Sequence, residues 1–360
     1  MNILLQALEK SPEYQQLLDA ISRGSVAAVS GLSQITRSHF LAALHAKSSR
    51  PSVFLVQDEL AASRLQEELE SFLGVQIPIL PERELTFVEA SGVSRQWEQK
   101  RLKLLYDLAA GKLPLLIASF GAMALRTMPR AVLFSASILL RVGASFTPED
   151  LIERLTQAGY SRTTLVEGVG QFALRGGILD VWSPLRAPVR VEFFDDEVDA
   201  MGEFDVTTQR RTQNVKSLTV LPAAEVLPAL SDGGREKMLE RLERAAQKIA
   251  KKAEDSPIVQ TLRSDIERLR NDLPLGGMDR YLAACYPDEV CALDYLSPDT
   301  LITVSDGMRV LERSKNYHWE LSEDVKPLIE EGVLCGEFAA LALSPSLVET
   351  ASTTGRSLRR

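Results

Sequence analysis

The sequence predicts an α/β protein in which two segments of the chain build a scaffold around a parallel sheet, and a small α+β domain with an antiparallel sheet is inserted between them. Two observations predict the scaffold. Short apolar runs alternate with helical patterns over residues 1–130, and a further apolar run lies at residues 301–304. A third observation predicts the insert, because strand patterns alternate with Gly and Pro turns over residues 163–222.

The first domain is expected to span residues 1–130. Apolar runs at 26–29 and 53–56 precede helical patterns at 36–46 and 61–72. Further apolar runs at 115–118 and 131–134 suit buried parallel strands at the close of this domain. Alternation of this kind is typical of a parallel sheet covered by helices.

The second domain is expected to span residues 131–222 and to contain one helix before its strands. Thr147 can cap that helix, Pro148 suits its first position, and Gly159 suits its end. The strand patterns that follow are short and separated by turn residues, which predicts an antiparallel sheet.

The third segment, residues 223–347, combines two amphipathic helices with the apolar strand pattern at 301–304. A coiled coil or a DNA-gripping hairpin would use the same helical pattern, but packing of the helices against the first domain is the more common arrangement. Residues 348–360 are polar and lack a hydrophobic period, which indicates a linker or the end of a cut fragment.

Composition excludes several classes of function. The chain has 360 residues, 45% of them hydrophobic, and no apolar run near the roughly 20 residues that a membrane span needs. A formal charge of -8 argues against a DNA-binding surface. The three cysteines contain no Cys-x-x-Cys pair and the three histidines stand alone, so we expect no metal site and a cytoplasmic location.

Residues 31–38 have the length of a phosphate-binding loop but not its chemistry. Thr36 stands where the second glycine would let backbone N–H groups surround a phosphate, and Arg37 stands where a lysine would reach it. Gly31 and Ser38 keep their places. A motor would place paired carboxylates after the strand at 301–304, where only Asp306 is found. We therefore expect a motor-like scaffold with no nucleotide, no cofactor and no catalytic residue.

The strand pattern at 189–194 places charged residues and one aromatic on the same side. Alternation puts Arg190, Glu192 and Phe194 opposite the valines, and the pattern at 172–175 turns Arg175 outward too. Arginine beside an exposed aromatic is typical of an interface hot spot. Alternatively, Phe194 covers a small satellite core while the charges are solvated, and the pattern by itself slightly favours this second interpretation.

Three runs in this domain resemble a known module. It is shared by the excision-repair helicase subunit UvrB and the bacterial transcription-repair coupling factors, and the similarity extends from about residue 31 to about residue 347. The resemblance implies that the middle domain binds the damage-scanning protein UvrA. It also implies that Arg175, Arg190 and Phe194 form the contact with help from Glu192. The runs are residues 172–184, 189–198 and 204–210, with further similarity at 81–85, 221–225, 278–282 and 293–296.

Two departures favour the coupling factors. UvrB has an intact phosphate loop and a tyrosine-rich DNA-clamping hairpin, whereas here the loop is broken and residues 85–102 are too few for that hairpin. The resemblance then implies a UvrA-recruiting module, itself not an enzyme, that links stalled RNA polymerase to nucleotide-excision repair. Contacts with RNA polymerase and DNA, and the ATP- and Mg-dependent DNA translocase motor, would belong to domains absent here. The alternative is a UvrB-like, ATP-dependent DNA-loading helicase subunit.

Overall fold

The structure is a computed structural model, and it describes residues 3–88, 96–184 and 186–343. Polar caps start several of its helices. Thr147, for example, accepts a hydrogen bond from the backbone N–H of Asp150, and Gly159 with φ of 84° follows that helix. The expected start and end of the second domain's helix are both confirmed. The helices are α1 (Ile3–Ala7), α2 (Pro12–Ser22), α3 (Gln34–Lys47), α4 (Glu59–Leu73), α5 (Gln96–Ala109), α6 (Phe120–Ala124), α7 (Arg130–Ala136), α8 (Pro148–Gln157), α9 (Gly234–Ala250), α10 (Pro257–Arg270), α11 (Leu282–Cys285) and α12 (Gly307–Glu330).

The strands form three sheets. Their residues are rich in Val, Ile and Leu in the first sheet and alternate between buried and exposed positions in much of the others, as parallel and antiparallel sheets require. The strands are β1 (Ser52–Val56), β2 (Ile79–Leu80), β3 (Leu115–Ser119), β4 (Ile138–Arg141), β5 (Ser161–Arg162), β6 (Gln171–Arg175), β7 (Ile178–Val181), β8 (Val189–Phe194), β9 (Glu197–Phe204), β10 (Arg211–Asn214), β11 (Ser217–Val220) and β12 (Leu301–Val304).

The first sheet is parallel and takes strands from both ends of the chain. Its order is β12-β1-β3-β2, so a strand from beyond residue 300 pairs with one from the first 60 residues. Helices α3 and α4 cover one side, where Phe54 and Ile117 are fully buried. The predicted fold class, a parallel α/β scaffold made from two segments around an inserted domain, is confirmed.

The second sheet has the order β10-β9-β8-β7-β6-β5 and is antiparallel except for the pair β5 and β6. One side packs on α8 and the main core through Phe172, Val181, Val189 and Val191, all at most 1% exposed. Strands β4 and β11 form a separate antiparallel pair that precedes and follows this sheet along the chain.

Three predictions for single strands were wrong or incomplete. Residues 26–29 are exposed coil rather than a strand, because no neighbouring strand pairs with them within the described residues. Residues 131–134 belong to α7, where Leu133 and Ala136 are buried at helical spacing. The strand at 301–304 forms, but at the edge of the sheet, so Ile302 and Val304 are exposed rather than buried.

Two further expectations concern residues that lie wholly or partly outside the described ranges. Residues 348–360, expected to be a linker or cut end, lie outside the described residues, as does the stretch 89–95 within the segment judged too short for a hairpin. Across the described ranges, no helix is both long enough and hydrophobic enough to cross a bilayer.

Candidate protein-interaction site

One face of the six-stranded sheet is polar where β6, β7 and β8 run side by side. Pairing places Asp180 opposite Arg190, and the next rung aligns Arg175, Ile178 and Glu192. The intervening residues of these strands pack against the main core, so the side chains of the two rungs share the opposite, outer side. We call this surface the β6–β8 face.

Asp180 lies at the centre of a charge cluster on this face, and its side chain is only 1% exposed. Its Oδ2 accepts hydrogen bonds from Nη2 of Arg175 at 2.6 Å and from Nη2 of Arg190 at 2.9 Å. Its Oδ1 accepts one from Nε of Arg190 at 2.7 Å. Two guanidinium groups therefore share one carboxylate, which leaves the three side chains with a net positive charge.

Arg190 is held from a second side as well. Its guanidinium donates to the backbone oxygen of Gln209 at 3.2 Å and to the side-chain oxygen of Gln209 at 3.1 Å, and it lies 4.7 Å from the centre of the Phe204 ring. The hydrogen bonds to Asp180 raise the pKa of Arg190 above its ordinary value. The side chain of Arg190 is 19% exposed, against 47% for Arg175, so Arg175 is the more accessible cation.

Phe194 is the most exposed aromatic of this face, at 75% of its accessible surface. It ends β8 at a tight turn in which Asp195 has φ of 51°, and the preceding Phe193 packs against the core. Ile178, 38% exposed, adds a second apolar group on the same side. Beside them, Glu192 pairs with Arg211 at 2.9 Å. The face thus combines a fixed apolar projection with a cation, the composition of an interface centre.

The loop at residues 31–38 uses its backbone differently from a phosphate site. Gly31 has φ of 81°, and Ser33 then caps α3. The Ser33 hydroxyl accepts a bond from the N–H of Thr36, and the Thr36 hydroxyl donates to the Ser33 oxygen at 3.0 Å. A phosphate would need such N–H groups for itself.

The charged positions of this loop are also engaged. The Ser38 hydroxyl donates to the carboxylate of Glu68 on α4, and Arg37 lies 3.6 Å from Asp306 at the start of α12. A carboxylate beside Ser38 repels phosphate, and the carboxylate of Asp306 offsets the charge of Arg37. That this loop binds no nucleotide stays a prediction.

Comparison with known proteins identifies the domain that carries the β6–β8 face. A family model described as the UvrB interaction domain matches residues 138–225. The chain is 28% identical over 333 residues to the transcription-repair-coupling factor of Bacillus subtilis (strain 168), covering 90% of the chain and 28% of that relative. It is 33% identical over 325 residues to that of Myxococcus xanthus, covering 85% of the chain and 26% of the relative.

The chain corresponds to the N-terminal region of a transcription-repair-coupling factor. A third relative, the coupling factor of Staphylococcus haemolyticus (strain JCSC1435), is 25% identical over 339 residues, which cover 92% of the chain and 28% of that protein. The chain spans about a quarter of the length of the coupling factors it matches.

The four residues predicted for the contact lie on one side of the sheet of this coupling-factor domain. Arg175, Arg190 and Glu192 occupy the two polar rungs, and Phe194 follows two residues later on β8. Phe194 is open to solvent, so its interpretation as cover for a satellite core is wrong. The role of these residues in binding a partner stays a prediction.

Sequence reasoning missed the residues that hold the arginines in place. Alternation in β7 puts Asp180 on the same side as Ile178, but its contact with Arg175 and Arg190 follows only when the registers of three strands are known. Gln209 and Arg211 reach this face from a turn and a strand that are distant in sequence. Among the described residues, no group of His, Cys, Asp and Glu is arranged to hold a metal ion.

Proposed function

We propose that this chain recruits UvrA through the β6–β8 face and has no ATPase activity of its own. In the longer coupling factor, this module would link RNA polymerase stalled at damage to nucleotide-excision repair. The polymerase contact, the DNA contact and the ATP-driven translocase would lie in the remainder of that protein. The single observation that carries the proposal is the exposed Phe194 ring on the same outer side of the sheet as the Arg175 guanidinium, in the region that matches the UvrB interaction domain.

The energetics of the face support a protein partner. Phe194 offers a large apolar area that is already solvent-exposed, and its position at the end of a paired strand limits its conformational freedom. Burying an aromatic ring of this kind in a partner's pocket is a strong source of affinity, because little ordering is needed on binding. The net charge of -8 for the whole chain disfavours DNA as the occupant.

Phe194→Ala is expected to weaken binding of purified UvrA by about 30-fold, since a central aromatic anchor contributes about 2 kcal/mol or more. Titration of the chain against UvrA by calorimetry measures this. Trp319→Ala is the matched control, because Trp319 is an aromatic on α12 that is 64% exposed, and it should bind as the parent does. Binding by Phe194→Ala at the parent's affinity would remove the assignment.

Mg-ATP is expected to leave the melting temperature of the chain unchanged. Ligand at 100 times its Kd stabilises a folded protein by about 2.7 kcal/mol, which a thermal melt detects readily. We expect no such stabilisation, because the Glu68 carboxylate lies beside Ser38 and Arg37 pairs with Asp306. A rise in melting temperature that disappears in Arg37→Glu would instead support the ATP-dependent helicase alternative.

A further inference from the structure

We infer that Asp180 is the positioning residue of the β6–β8 face, so that Arg175 meets the partner directly while Arg190 acts through Asp180 as a brace. This inference rests on the proposed function and divides roles among its residues. It names Asp180, which the sequence did not suggest, and it separates two arginines that the family resemblance treats alike.

The hydrogen bonds of Arg190 show why it is a brace. Nε and Nη2 donate to Asp180, and Nη1 and Nη2 donate to Gln209, so all three nitrogens are engaged within the domain. The Phe204 ring lies against the guanidinium as well. These bonds use four of the five N–H groups of the guanidinium, so a partner that took Arg190 as its main contact would have to break some of them and would gain little net affinity.

Arg175 makes fewer hydrogen bonds within the domain than Arg190, and its side chain is more exposed. It donates to Asp180 through Nη2, and nearly half of its side chain stays exposed. That bond fixes the direction of the guanidinium while its outer edge faces solvent. An anchored guanidinium loses less side-chain entropy on binding than a free one, so the bond to Asp180 preorganises the contact.

The rung that holds Asp180 has space for guanidinium groups, because small residues lie at both of its ends. The residues paired across the sheet are Ala173, Asp180, Arg190 and Gly202, so the carboxylate and Arg190 lie between two small residues. Asp180 itself is too buried to touch a partner. Its part is to orient the arginines and to leave one net positive charge among the three side chains.

The partner chemistry follows from what remains exposed. Phe194 and Ile178 offer exposed apolar side chains, and Arg175, which pairs with Ile178 across the sheet, offers a guanidinium on the same side. The complementary surface on UvrA is an apolar pocket whose rim carries a carboxylate or backbone oxygens that accept from Arg175.

The test uses Asp180→Asn, which keeps the shape and removes the charge. We expect about tenfold weaker binding of purified UvrA in calorimetry. Arg175→Ala should cost about tenfold in the parent background and clearly less in the Asp180→Asn background, because an unanchored guanidinium contributes less. Glu153→Gln, at an exposed carboxylate on α8 of the same domain, is the matched control and should bind normally.

The outcomes separate this inference from the proposed function. If the parent chain binds UvrA, and Asp180→Asn binds equally well while Phe194→Ala does not, the positioning role is refuted and the recruiting role stands. If the parent itself does not bind, the recruiting role fails.

A second variant tests the inference if Asp180→Asn does not fold properly, which a thermal melt of that variant would reveal. Arg175→Ala changes an exposed side chain and leaves the buried carboxylate in place. It should lose about tenfold in affinity, whereas Arg162→Ala, at an exposed arginine on edge strand β5, should not. Parent-level binding by Arg175→Ala would overturn the inference.

Discussion

Glu225→Ala is expected to lower the free energy of unfolding by about 3–5 kcal/mol, because the substitution leaves buried guanidinium groups without a counter-charge. Glu225 lies outside every proposed binding surface. Glu225 is fully buried and directly follows the strands of the inserted domain. Its carboxylate lies 3.2 Å from Nε of Arg101 and 3.5 Å from Nε of Arg83. It also accepts a hydrogen bond from the Thr127 hydroxyl at 2.5 Å.

The surroundings of this carboxylate explain the size of the effect. Burial acts to lower the pKa of Arg83, but the carboxylates of Asp279 and Glu225 outweigh burial, so the pKa is raised. Burial lowers the pKa of Arg101, which Glu225 opposes. Arg101 also donates to the backbone oxygens of Pro81 and Ala122 in the scaffold. The network therefore ties the end of the inserted domain to the first segment.

Urea unfolding followed by circular dichroism measures the Glu225→Ala effect. Glu267→Ala is the control, since Glu267 is an exposed carboxylate on α10 and such surface changes usually stay within about 0.5 kcal/mol. A Glu225→Ala protein as stable as the Glu267→Ala protein would show that the buried arginines find other partners or water.

The local sequence pattern predicted the structure correctly where the conformation of a strand or helix depends on its own residues alone. The alternation in residues 189–194 placed Val189 and Val191 in the core and Phe194 on the opposite side of the strand, because side chains in a strand alternate whatever the neighbours are. Whether the Phe194 ring is exposed or covers a satellite core was not decided by that pattern. The cap formed by Thr147 before α8 was likewise local. Such features follow from a few consecutive residues.

The local sequence pattern did not predict the structure where contacts with a distant element determine it. The apolar run at 131–134 fits a strand or a buried helix equally, and Pro129 with helical packing of Leu133 made it a helix. Residues 26–29 have strand composition, but within the described part of the chain no strand lies beside them. The role of Asp180 depends on the register of three strands, and single-strand alternation does not supply that register.

Arg190→Glu is expected to unfold or strongly destabilise the inserted domain, by about 3–5 kcal/mol, before any effect on binding is considered. The substitution places a second carboxylate against Asp180, which is buried and would keep only Arg175 as its cation. It also removes the bonds to Gln209 and the contact with Phe204. Loss of UvrA binding in this variant would therefore say little about a direct contact by Arg190.

Arg211→Glu is the control for this charge reversal. Arg211 pairs with Glu192 at 2.9 Å, but both side chains are about a third or more exposed, so water screens the new repulsion and the cost should stay near 1 kcal/mol or less. Urea unfolding followed by tryptophan fluorescence compares the two variants, because Trp182 lies within the domain beside Val206 and Phe204. Equal stability of Arg190→Glu and Arg211→Glu would mean that Asp180 is not confined by its two arginines, and the distinction between brace and contact would lose its basis.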